Sequence, residues 1–99
     1  MKVVLTDAAK LDLLRIGDFI AEDSPRRAKT FVKEMRDAAH QIAKTPGAFP
    51  LVPRYEEYGI RRHVYGNYLI FYKAEPEQVI VVRILHGARN FEPILFPPR

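Results

Sequence analysis

Apolar positions recur along this chain with two different periods, and the change of period divides it. KVVLT, residues 2–6, is a β-branched run that predicts an opening strand. Thr6 or Asp7 can then cap a helix by accepting backbone N–H bonds from its first turn. Ala9, Leu13, Ile16 and Ile20 follow at spacings of four, three and four, which stacks them on one helical face. Phe19 flanks that stripe, whereas Leu11 and Leu14 point largely away from it. The segment EDSP is punctuation: Ser24 suits a capping position and Pro25 the first helical one, where the missing N–H would be unpaired anyway. Ala28, Phe31, Met35, Ala38 and Ile42 then repeat at three, four, three and four, broadened by Val32 and Ala39. Two antiparallel helices joined by a tight turn are therefore expected.

TPGAFPLVPRYEEYG ends the second helix, with Pro46, Gly47, Pro50 and Pro53 close together. Beyond it the period drops to that of strands in GIRRHV, YLIFYK and QVIVVRIL. The connections YGN and AEPE are short enough to be hairpins. The predicted class is α+β: an N-terminal strand, an antiparallel helical hairpin, then a three-stranded antiparallel meander, with the helices packed on one sheet face.

Ninety-nine residues suffice for one core and leave no room for a second, so residues 1–99 are expected to form a single domain. An apolar fraction of 47% argues against a disordered chain. The absence of cysteine excludes disulfides, thiolate zinc sites and thiol nucleophiles, and makes a reducing cytoplasm the expected compartment. The acidic residue Asp7 argues against a signal peptide, and no apolar run approaches the roughly 18 residues of a membrane span. Sixteen basic and twelve acidic residues leave a net charge of +4. That excess suits an acidic partner, whether nucleic acid, the acidic face of a large enzyme or an acidic inhibitor protein. It is equally ordinary for a domain with no such partner.

Alternation sorts the charged residues of the strands. Arg61 and His63 share one face and Arg62 lies on the other. On the last strand Arg83 falls with Val79, Val81 and Leu85, opposite Ile80, Val82 and Ile84. A helical hairpin covers one sheet face only, so the second must be partly open or covered by the C-terminal tail, and Arg83 is expected to border it. His86 and Arg89 sit just past the strand end, where a rigid sheet can hold loop residues in place. Two readings of Arg83 stand: a packed stem with its guanidinium paired to a carboxylate such as Glu56 or Glu57, or a contact residue. His86 is either a turn residue or an acid–base group active near neutral pH. The tyrosines at 55, 58, 65, 68 and 72 can stack bases, but on alternating strands they more often pack. Gly59, Gly66 and Gly87 stand alone and the three histidines are scattered, so no phosphate loop, dinucleotide fingerprint or metal site is read, and no cofactor is expected. Ser24, the only serine, is used as a cap, which leaves no serine nucleophile.

In order, A-x-x-D-L-x-x-I (Ala9, Asp12, Leu13, Ile16), the proline-rich lead into G-I-R (Gly59, Ile60, Arg61), Y-L-I-F-Y (Tyr68 to Tyr72) and R-I-L-H-G-A-R (Arg83 to Arg89) cover most of the chain. This series resembles the ParE-type toxins of the RelE/ParE type II toxin–antitoxin superfamily. The resemblance implies a cytoplasmic bacterial toxin of the plasmid-stabilisation kind, neutralised by a cognate ParD-like antitoxin, with operator DNA contacted only through that antitoxin. One branch of the superfamily cleaves messenger RNA on the ribosome; the ParE branch is associated with inhibition of DNA gyrase. In the nuclease branch a basic residue follows the tyrosine that opens the third strand, but Leu69 stands there, and the tail NFEPILFPPR has no tyrosine. The gyrase reading is therefore preferred, with Arg83, His86 and Arg89 as target-binding residues. Under the nuclease reading, Arg62, His86 and Arg89 would be the catalytic set. A third reading is a non-toxic module that acts with its antitoxin on operator DNA. Leu11 and Leu14, apolar but off the core stripe, are the expected antitoxin-binding residues, since an amphipathic helix can dock along the helical hairpin.

Overall fold

The computed structural model describes residues 1–98, so Arg99 lies outside the described residues. Strand β1 (Lys2–Leu5) leads into helix α1 (Asp7–Asp23), and helix α2 (Pro25–Lys44) returns beside it. Thr6, rather than Asp7, is the cap. Its hydroxyl oxygen accepts the Ala9 N–H at 3.0 Å, and the hydroxyl donates to the Val82 carbonyl at 2.7 Å. One side chain thereby starts the helix and pins that start to the last strand. Ser24 serves both helices: its N–H reaches the Ile20 carbonyl at 2.9 Å, and its hydroxyl oxygen accepts the Arg27 N–H at 3.1 Å. The expected stripes face the sheet, with Ala9, Leu13, Phe31, Met35, Ala38 and Ile42 buried and Ile16 and Ile20 packed against them.

The proline-rich segment and a 3-10 turn at Glu56–Tyr58 lead to β2 (Ile60–Tyr65), β3 (Tyr68–Ala74), β4 (Gln78–His86) and the short helix α3 (Glu92–Leu95). Gly59 closes the turn at φ 71°, a left-handed conformation that glycine adopts without steric cost. The last three strands form the antiparallel meander, in the sheet order β1-β4-β3-β2. β1 docks parallel to β4, with Leu5 opposite Val81. The helical hairpin lies within the crossover that a parallel pairing needs. The class is α+β with a mixed sheet.

β3 and β4 do not pair evenly. Phe71 faces Arg83 but Tyr72 faces Val81, which leaves Val82 as the extra residue of a bulge. This corrects the sorting by strict alternation. Val79, Val81 and Ile84 all belong to the core beneath the helices, whereas Leu85 joins Phe71 in a second core on the opposite face. Arg83 keeps its place beside Leu85 and loses its place beside Val79 and Val81, because one inserted residue inverts the sides.

The second face is covered by the tail. Phe96 is buried there, the Tyr55 ring stacks on it at 4.0 Å, and the Tyr55 hydroxyl donates to Glu92 at 2.9 Å. Phe91 packs on Phe71 at 5.1 Å, and Val52, Ile60 and Leu85 complete this smaller core. Val52 donates to the Ile60 carbonyl and Arg62 to the Pro50 carbonyl, both at 3.0 Å, so the proline-rich segment also occupies part of the outer edge of β2. The tyrosines take packing positions: Tyr72 is buried with its hydroxyl on the Pro46 carbonyl at 2.7 Å, Tyr55 and Tyr58 pack on the second core, and Tyr65 and Tyr68 on the first.

His63 on β2 lies with its ring 4.2 Å from that of Phe49, and partial burial pushes its imidazole below the ordinary histidine value. The unfolded chain therefore binds more protons than the folded one once the pH falls to the unfolded value of about 6.5. This contribution to stability is complete above that value and is lost as the pH drops through it toward the lower folded value. Urea unfolding above and below it should show the native chain losing more stability on acidification than His63→Gln; equal losses would refute this.

Candidate functional site at the exit of β4

β1 ends opposite Val81, and the Thr6 N–H reaches the Val81 carbonyl at 3.0 Å. From Val82 onward no strand among the described residues lies beside this edge of β4, and α1 takes over. The Asp12 side chain, in a residue only 5% exposed, accepts three hydrogen bonds there. Arg83 Nε and Nη2 donate to its two oxygens at 2.7 Å each, and the Ile84 N–H donates at 3.0 Å. The Arg83–Asp12 pair is bidentate, the strongest geometry open to a guanidinium and a carboxylate. Hydrogen bonding to the Asp12 carboxylate holds the Arg83 guanidinium above its ordinary pKa, against an opposing effect of burial.

Arg83 thus has a carboxylate partner, on α1 at Asp12. It anchors the strand from within the protein. Sequence reasoning left Asp12 without a role, although it stands between Ala9 and Leu13 on the core-facing side of α1. An acidic residue at such a position requires a buried partner, and that is the signal that could have found it.

Past the anchor, His86 and Arg89 come together in one turn. The His86 carbonyl accepts the Arg89 N–H at 3.0 Å, and His86 Nδ1 accepts the Ala88 N–H at 3.0 Å. The Tyr68 ring meets the imidazole edge-on at 5.3 Å. Arg89 is exposed, and among the described residues its guanidinium has no hydrogen-bond or ion-pair partner. Arg62, on β2, lies over the Phe91 ring at 5.8 Å. Among the described residues no group of three His, Asp or Glu side chains is placed to share a metal ion.

A second surface lies on the helical side. A groove of about 640 Å³ between β1, α1 and α2 is lined by Leu5, Leu13, Leu14 and Val32, and its charged residues, Lys2, Lys10 and Arg36, are all cationic. It continues along the hairpin past Gly17 and Ala28, where Asp18 and Lys29 both line it, with Leu14 lining both stretches. Leu14 is 60% exposed. Leu11 is exposed as well, but the residues that line the groove do not include it.

Residues 3–91 match the family model described as "ParE toxin of type II toxin-antitoxin system, parDE". No match was found among curated proteins. Among solved structures, the chain is similar to one of the chromosomal ParDE toxin–antitoxin system from P. aeruginosa, at 19% identity and a TM-score of 0.70, covering 87% of this chain and 95% of that one. It is also similar to one of the RelBE2 toxin–antitoxin complex from Mycobacterium tuberculosis, at 22% identity and a TM-score of 0.64, covering 86% and 95%. At such identities the structural likeness shows a shared fold.

Proposed function

This chain belongs to the ParE toxin family of type II toxin–antitoxin systems, and from that premise we propose that it inhibits DNA gyrase in the cytoplasm by binding it, without catalysing a reaction. The observation that carries this reading is the apolar cover on the second sheet face. Phe96 is buried in it, Phe91, Ile94 and Leu95 pack against it, and so does Leu69, where the nuclease branch carries a basic residue. Cleavage of RNA needs a base, a general acid and a stabiliser of phosphate charge converging on one point. Of the three side chains available for that, Arg62 rests on Phe91 and His86 has Nδ1 engaged in its own turn, which leaves Arg89 free. A single exposed cation on a rigid turn suits recognition of an acidic surface. Arg83 stands behind it, held by Asp12, and steadies the strand that presents it.

The neutralising partner on this reading is a cognate ParD-like antitoxin, through which alone operator DNA is contacted. The solved structures similar in fold come from toxin–antitoxin systems. The stretch of the groove beside β1 combines an apolar floor with cationic charge, which fits an amphipathic segment carrying acidic residues at that end.

Induced expression of the chain alone should give filamentous cells and the DNA-damage response. Arg89→Ala should abolish this while the protein stays folded and bound to its antitoxin. Truncating an exposed residue costs the fold about 0.5 kcal/mol or less, whereas losing a desolvated charged contact costs a complex roughly 2–5 kcal/mol. Full toxicity of Arg89→Ala would remove Arg89 from the site, and arrest of translation with transcripts cut on the ribosome would establish the nuclease reading instead.

For the antitoxin, Leu14→Asp should weaken binding about tenfold or more, the worth of one buried leucine. Leu11→Asp should change it little. Calorimetry with both variants checks this, and an unchanged affinity for Leu14→Asp would exclude the groove.

A further inference from the structure

We propose that His86 is a positioning residue: its imidazole Nδ1 builds the turn that holds Arg89 at the end of β4, and the ring neither transfers protons nor meets the target. Three successive backbone N–H groups at the strand exit must find acceptors once the ladder ends. The Gly87 N–H goes to the Asn67 carbonyl at 2.7 Å, the Ala88 N–H to His86 Nδ1 at 3.0 Å, and the Arg89 N–H to the His86 carbonyl at 3.0 Å. His86 therefore supplies two of the three acceptors, one from its backbone and one from its ring. A side-chain acceptor taking the N–H two residues on is the arrangement by which Asn and Asp form turns, and here an imidazole performs it.

One neighbour packs on the ring and another lets the turn close. Tyr68, which pairs with His86 in the last rung of the sheet, packs against it edge-on with an interplanar angle of 82°. Gly87 lets the turn approach the β2–β3 connection closely, since a Cβ there would lie 3.3 Å from the Asn67 carbonyl oxygen. The tautomer follows from the bond. A neutral imidazole that accepts at Nδ1 carries its proton on Nε2, so the outward nitrogen is a donor. To act as a base the ring would have to use Nδ1 and give up the turn.

This assignment rests on the reading of Arg89 as the target contact only in the toxicity arm of its test. Asn places its amide oxygen where a histidine carries Nδ1; Gln reaches instead toward the position of Nε2. In the isotope-labelled full chain, long-range proton–nitrogen spectra should show the Nε2–H tautomer for His86. The Ala88 amide should exchange slowly in the native chain and in His86→Asn, and about tenfold faster or more in His86→Gln, the worth of one hydrogen bond. In cells, His86→Asn should arrest growth as the native chain does, and His86→Gln should lose that effect. An Nδ1–H tautomer, an unprotected Ala88 amide in the native chain, or toxicity kept by Gln and lost with Asn would each overturn the proposal. If the native chain does not arrest growth, the toxin reading fails, and the tautomer with the Ala88 exchange rate still decides the role of His86.

Discussion

One buried carboxylate organises the business end of this molecule. β1 is four residues long and β4 nine, so the second half of β4 has an edge that no strand covers. An unpaired N–H at a covered edge is costly, and so is a carboxylate withdrawn from water. Asp12 resolves both at once by accepting the Ile84 N–H together with two bonds from Arg83. Thr6 does the matching service for the Val82 carbonyl at the bulge. Helix α1 thereby stands in for the missing strand. The direction in which β4 leaves the sheet, and the turn that follows, depend on that substitution.

Most of the fold was legible because its signals are local. The stripe from Ala9 to Ile20, the Ser24–Pro25 start, and the short YGN and AEPE connections each specify an element through neighbours a few residues away. The candidate site was legible only in its position. His86 and Arg89 were found where the strand ends, but the role of Arg83 depends on a residue 71 positions earlier in the chain, and no local pattern announces that pairing. The bulge at Val82 was hidden for a similar reason. Its cause lies in the edge, where β1 stops and Thr6 takes the carbonyl, while the residues of β4 themselves read as an uninterrupted strand.

The two surfaces of the protein differ in chemistry in a way that suits two different partners. The hairpin groove offers apolar side chains, flanked by cations at its β1 end, which favours a long amphipathic segment. The exit of β4 offers an exposed guanidinium, unpaired among the described residues, on a turn tied to the sheet by backbone bonds, which favours a charged spot on a large partner. The tail removes the sheet face opposite the hairpin from solvent by burying Phe96 against Tyr55 and Phe71 beneath Phe91.

A double-mutant cycle on unfolding free energy, with Asp12→Asn, Arg83→Gln and the pair combined, tests whether Asp12 anchors β4. Each single change leaves the other member of a buried ion pair uncompensated, which costs about 3–5 kcal/mol. If Asp12 is the anchor of β4, the double variant should be less destabilised than the sum of the two, by about 1 kcal/mol or more. Losses that add within about 0.5 kcal/mol would mean that the pair does not act as a unit, and would contradict the account of how the strand exit is held.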